Sequence, residues 1–178
     1  SAGVPRLGIP ENNLSDGPSG LRPEMVWQTW IHAGMSSDSC TAFPALVCLA
    51  ATWNPEMGHL FGKSLGEEAL YRDKNMLLGP AVNIFRTPMN GRNFEYMGED
   101  PYLTSKMAVS YIKGVQENHV SACVKHFAVN NQETKRTTIN TIVDERTLHE
   151  IYFPAFKAAV QEAGVWAVCL LYTSPSPR

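Results

Sequence analysis

Apolar positions along this chain recur at changing periods, and the alternation sets out a series of strand, loop and helix units. Residues 47–50 form a short apolar run that reads as a strand. Asn54, Pro55 and Glu56 then supply an N-cap, a first-turn proline and an early acid. Met57, Leu60, Phe61, Leu65 and Ala69 recur at three- and four-residue spacing, which predicts one apolar helix face running to about Asp73. Residues 76–84 read as a buried strand broken by Gly79-Pro80, and a polar loop follows over 86–99.

The cycle restarts at Asp100-Pro101, again an N-cap with proline behind it. Leu103, Met107, Tyr111 and Val115 place a core face on a helix ending near Asn118. Residues 120–129 are the next strand, 130–140 a polar loop, and Asp144 caps a helix that turns Leu148, Ile151, Tyr152, Ala155 and Ala159 inward. Pro154 should disturb that helix, because it removes a backbone donor and crowds the carbonyl of Glu150. Gly164 ends it, and a strand begins over 165–168. Strands alternating with helices imply a parallel sheet with right-handed crossovers, either an open doubly wound sheet or a barrel.

Composition narrows the function classes. The 178 residues are 44% apolar with a formal net charge of −2, enough for one core, and they hold no basic stripe suited to nucleic acid. No apolar run reaches the roughly 20 residues that a membrane-spanning helix needs. Cys40, Cys48, Cys123 and Cys169 lack C-x-x-C spacing and read as buried small hydrophobes, with no metal or other cofactor implied. A dinucleotide-binding reading has little support, since no G-x-G-x-x-G follows a strand.

Polar clusters fall after strands: one runs over 90–99 and another over 125–133. In parallel α/β architectures such loops share the face where ligands bind. Taken singly, each cluster reads as an ion pair or a turn. Together, LGIPENNLSDGPSGLR, TAFPALVCLAATWNPEM, LLGPAVNIFRTPMNGRNFEYMGEDPYL, KHFAVNNQETKR and DERTLHEIYFPAF resemble, in order, the signature segments of family 3 glycoside hydrolases. GRNFEYMGEDPYL is closer to the β-glucosidase branch than to the β-xylosidase branch.

The resemblance implies an incomplete (β/α)8 TIM-type barrel over residues 1–168, part of a retaining β-glycosidase that acts on a β-glucoside or oligosaccharide. A non-catalytic carbohydrate-binding protein is the alternative. It also implies that Asp16, Arg92, Lys125 and His126 bind the sugar, with Asp16 accepting hydroxyl protons, Lys125 and His126 donating, and Arg92 held by Glu95. Glu99 and Asp100 are expected to cap the next helix and to pair with Arg86 or Arg136, without touching sugar. The nucleophile and the acid/base residue, which the mechanism requires, are expected on the missing C-terminal part of the chain. Residues 169–178, with their abrupt Ser/Pro-rich end, read as a foreign tail.

Adjacent residues of a regular strand point to opposite faces, so Lys125 and His126 cannot both reach one sugar ring unless the strand is broken. An interruption by a bulge, an early end or a cis bond is expected between Lys125 and Ala128.

Overall fold

A computed structural model describes residues 3–22, 25–26, 31–32, 39–136 and 138–170. Among these, four strands, β1 (Leu14–Asp16), β4 (Met76–Leu78), β5 (Ser121–Phe127) and β6 (Ala167–Leu170), form one sheet in that order. Every pairing between them is parallel. Between β1 and β4 in the chain lies a small antiparallel pair, β2 (Met25–Val26) with β3 (Ile31–His32). The α-helices among the described residues are α1 (Leu46–Ala50), α2 (Pro55–Tyr71), α3 (Pro101–Glu117), α4 (Glu145–Thr147) and α5 (Phe153–Gln161).

Each sheet strand lies beside its successor, and α2 packs on α3 as α3 does on α5. The helices therefore line one side of a sheet that winds in one direction. A doubly wound sheet would reverse its order and carry helices on both faces, so the arrangement is that of a (β/α)8 barrel in part.

The first sheet strand is Leu14–Asp16, whereas the apolar run at 47–50 is helix α1. Leu46, Leu49 and Ala50 are buried while Val47 and Cys48 are exposed, a three- and four-residue spacing that so short a run hides. Cys48 thus departs from the expectation of buried cysteines, and Cys123 meets it. The caps form as expected. Asn54 accepts from the amides of Glu56 and Met57, Asp100 from those of Tyr102 and Leu103, and Asp144 from that of Thr147. Arg136 turns to Glu133, and no ion pair joins Glu99 or Asp100 to Arg86 or Arg136 among the described residues. The disturbance expected near Pro154 is a π-helical turn, Leu148–Tyr152, inserted just before it.

The inward face of α2 differs from its apolar spacing. Met57 and Leu60 are exposed, and the buried face alternates Phe61, Leu65 and Ala69 with Gly58, Gly62 and Gly66. Glycine lets the backbone of α3 come close. A Cβ on Gly62 would lie 2.1 Å from the Tyr111 carbonyl oxygen, and one on Gly114 would lie 2.2 Å from that of His59. Tyr111, wholly buried on α3, donates its hydroxyl hydrogen to the Pro18 carbonyl at 3.0 Å. The helix seam thereby holds the turn that follows Asp16.

Strand β5 is buried on both faces until its last residue. Against β6 its register runs Val124 to Val168 and then Phe127 to Leu170, three steps against two, so it carries one extra residue. The Lys125-His126 and Phe127-Ala128 peptides are cis. The expected interruption is present as both a bulge and cis bonds. Strand β6 runs through Cys169 and Leu170, the first two residues of the segment read as foreign, and from 171 onward that segment lies outside the described residues.

The glycine seam gives a paired test by urea unfolding. Gly62→Ala should destabilise the chain by about 1–3 kcal/mol, since it meets rigid helix backbone and outweighs the roughly 1 kcal/mol gained in helix propensity. Gly58→Ala, whose Cβ would first meet the Met107 and Ser110 side chains at 3.3 Å, should be close to neutral. Equal effects at the two positions would contradict the close-packing account.

Candidate functional site

Asp16, Arg92, Lys125 and His126 come from three separate segments and meet in one network. Asp16 closes β1, Lys125 and His126 flank the irregular peptide of β5, and Arg92 precedes a 3₁₀ turn, Asn93–Glu95, in the loop after β4. Lys125 Nζ lies 2.6 Å from Asp16 Oδ1 and 3.5 Å from Glu95 Oε2. Arg92 Nε donates to Glu95 Oε1 at 2.6 Å. The expected pairing of Arg92 with Glu95 is present, and Glu95 also reaches Lys125, tying two segments together.

Outward from there, Arg92 NH1 lies 3.1 Å from Glu133 Oε1, and Arg136 NH1 lies 3.1 Å from Glu133 Oε2. The result is a chain of charges that alternates in sign: Asp16, Lys125, Glu95, Arg92, Glu133, Arg136. Its middle is dry, since the side chains of Lys125, Glu95 and Arg92 are 3%, 5% and 9% exposed. Ions so buried cost several kcal/mol each in lost hydration, at about the scale expected for protein interiors, and must be matched by near partners.

Arg92 NH2 also lies 3.1 Å from Nε2 of His126. A guanidinium only donates, so Nε2 accepts and the ring proton sits on Nδ1, which faces the Tyr96 hydroxyl at 3.1 Å. Tyr96 in turn donates to the Asn130 carbonyl. Asn83, fully buried, donates to the Tyr96 hydroxyl at 3.2 Å and to the His126 carbonyl at 3.0 Å, and accepts from the Val129 amide at 3.2 Å. Both nitrogens of His126 are therefore engaged. Its Nε2 accepts from Arg92 and its Nδ1–H goes to Tyr96, so the expected donor to a sugar hydroxyl is already spent within the protein.

Burial raises the carboxyl pKa of Asp16, but Lys125 outweighs it, with Arg22 and Arg92 assisting, and holds the group below its usual range. Asp16 is thus a carboxylate at neutral pH. For His126, burial comes first, and Arg92, Lys125 and Arg136 add to it, so the pKa falls from 6.5 to about 2. The imidazole stays neutral.

The loops bearing these groups are stitched together by the backbone and side chain of Asn131. The Arg92 amide donates to the Asn131 carbonyl at 3.2 Å, and Asn131 Nδ2 donates to the Ile84 carbonyl at 2.9 Å and to the Tyr152 hydroxyl at 3.1 Å. Asn83, Tyr96, Glu133 and Arg136 were not among the expected sugar-binding residues. All four lie in the segments that carry the family resemblance, which was the signal available for them.

Comparison with known proteins agrees with this architecture. The model of the glycosyl hydrolase family 3 N-terminal domain matches residues 23–174. The chain belongs to this family. It is 60% identical over 172 residues to a beta-glucosidase, BoGH3A, of Bacteroides ovatus, covering 97% of this chain and 23% of that enzyme. It is 50% identical over 169 residues to thermostable beta-glucosidase B of Acetivibrio thermocellus, covering 95% of this chain and 22% of the relative. Among solved structures, beta-glucosidase 3B of Thermotoga neapolitana in complex with glucose superimposes with a TM-score of 0.87 at 46% identity, over 96% of this chain and 23% of that one. The chain thus spans less than a quarter of the length of these relatives.

Neutral His126 links the site to pH. Below about pH 6.5 the unfolded chain protonates this imidazole and the folded chain does not until about pH 2, so the folded state loses stability as the pH falls across that window. The limiting slope from this one group is about 1.4 kcal/mol per pH unit. Denaturant unfolding between pH 8 and pH 4.5 should show a shallower decline for His126→Gln than for the unaltered chain. Parallel curves would mean that the imidazole is protonated in the fold.

Proposed function

We propose that this chain is part of a retaining β-glycosidase that hydrolyses terminal non-reducing β-D-glucosyl residues, and that its alternating charge network holds the glycone. The observation that carries the reading is the meeting of Asp16, Lys125 and Arg92 through Glu95, with His126 on Arg92, in one cluster whose middle is buried. A sugar ring is a set of hydroxyls that each donate and accept, and charged partners form its strongest directional bonds. Lys125 has three N–H groups and faces two carboxylates, and Arg92 has five and uses three of its nitrogens. Donors remain for hydroxyls, and ionised Asp16 accepts, while His126, its Nε2 lone pair taken by Arg92, holds that guanidinium in place.

The chemical step is assigned outside this chain. Retention needs a carboxylate to attack the anomeric carbon and a carboxylic acid of raised pKa to protonate the leaving oxygen. Asp16 is held low by Lys125, which unsuits it to the acid role, and both Glu95 oxygens face cations. In this reading these carboxylates serve binding, and the reacting pair is sought elsewhere in the full-length protein. The names of the relatives favour glucose as the glycone, although an exo-alpha-(1->6)-L-arabinopyranosidase of Bifidobacterium longum is 41% identical.

The test uses the full-length protein with aryl β-D-glucoside, β-D-xyloside and α-L-arabinopyranoside substrates. The glucoside should turn over fastest and release β-glucose first by proton NMR. The purified 178-residue chain should show no hydrolysis above the buffer rate. Release of the α anomer first would refute retention, and glucose binding without turnover by the full-length protein would favour a carbohydrate-binding protein. Asp16→Asn in the full-length protein should lower kcat/KM about 10²-fold or more, on the scale of losing charge-assisted bonds to a reacting sugar.

A further inference from the structure

Three features outside the assigned binding residues bear on what else this domain does. A cavity of about 430 Å³ between α3 and α5 is edged by Tyr102, Lys106, Lys157 and Glu162, but Lys106 is already paired with Glu162 and nothing there selects an occupant. An exposed apolar stripe of Trp53, Met57 and Leu60 on α2 and the residues before it has no visible partner chemistry. Glu133 differs from both, because its contacts are specific and reach into the buried network.

Glu133 sits in the loop after β5 and is half exposed, yet it joins two guanidinium groups. Its Oε1 takes Arg92 NH1 at 3.1 Å and Arg136 NH1 at 3.2 Å, and its Oε2 lies 3.1 Å from the same Arg136 nitrogen. With Glu95 on Nε and His126 on NH2, Arg92 is held at all three of its nitrogens. Three contacts at different corners of a planar group fix both its position and the tilt of its plane. Two contacts leave a swing about the line that joins them. The backbone supports the same join: the Arg92 amide bonds the Asn131 carbonyl, and a Cβ on Gly91 would meet the Glu133 amide nitrogen at 3.6 Å.

Charge supplies the second argument. Without Glu133, Arg92 and Arg136 would be two cations sharing one neighbourhood with no anion between them. Repulsion would then push the loop after β5 away from the loop after β4. We propose that Glu133 is a positioning residue of the sugar site, acting through Arg92: it sets the plane of the Arg92 guanidinium and keeps the Arg136 loop over the network. This rests on the glycone reading of Arg92 given above. It adds to that reading a residue that touches no sugar and still sets affinity.

The test is a double-mutant cycle in the full-length protein, read as inhibition of aryl-glucoside hydrolysis by D-glucose and as the thermal midpoint. Glu133→Gln should weaken glucose about tenfold, within the range found for directly coupled residues. Glu133→Asp, which keeps the charge, should recover part of the loss. In an Arg92→Lys background, where no planar fork remains to be oriented, Glu133→Gln should change glucose affinity less than twofold. An equal loss in both backgrounds, or none in either, would overturn the proposal. So would a loss that follows the thermal midpoint across all variants, because that would make Glu133 a stabilising residue only. If Arg92→Lys alone leaves glucose affinity unchanged, the glycone reading of Arg92 fails instead.

Discussion

Lys125 and Arg92 are cations held almost entirely out of water, and the top of this fold is arranged around that fact. Neither can be buried without carboxylates close by, and no carboxylate lies next to either in sequence except Glu95, three residues after Arg92. Lys125 must recruit Asp16 from across the sheet, 109 residues away in the chain, and borrow the far oxygen of Glu95. The pairing therefore fixes the relative placement of β1, β5 and the loop after β4. A buried ion pair adds little net stability, but losing one partner leaves an uncompensated charge, which penalises other arrangements of these loops.

The helices serve the same end from below. Gly62 and Gly114 let α2 and α3 approach until backbone meets backbone, and Tyr111 in that seam carries its hydroxyl to the carbonyl of Pro18. The Asp-Gly-Pro turn is thereby held from the helix layer, and Asp16 is its first residue. Gly17, at φ +139 with the Gly20 carbonyl oxygen where a Cβ would be, allows the turn to close tightly. Packing between helices and the placement of a carboxylate are thus one connected piece of structure.

Much of the secondary structure was legible because it depends on local chemistry. Asn54, Asp100 and Asp144 cap helices through their own side chains, and such caps are visible in any sequence. The first strand was not legible. Leu14–Asp16 has three residues, one of them buried, and its partner is β4, so no periodicity could announce it. The inward face of α2 was misjudged for a related reason: spacing favours the large side chains Met57 and Leu60, but what faces α3 is a row of glycines chosen for having no side chain. In the site, the four expected residues came from ordered sequence segments, and their meeting is a property of the fold. Asn83 and Tyr96 lie in one of the same segments but were not singled out, since a buried amide and a buried phenol matter here through bonds made at long range. The role of His126 changed as well, because its proton is decided by Arg92 and Tyr96 and not by the residue itself.

The bonds around Tyr96 have one further consequence. Arg92 can only donate to His126, which fixes the imidazole tautomer. That makes the Tyr96 oxygen an acceptor from His126, and its own hydrogen goes to Asn130. Asn83 cannot flip its amide, because its nitrogen faces two acceptors and its oxygen faces an amide N–H. Each hydrogen that His126, Tyr96 and Asn83 place in these bonds has a single position. Groups behind a binding surface that keep one proton arrangement have no rotational disorder of their own for a ligand to suppress, so the entropy of ordering them is lost during folding and not again at each encounter.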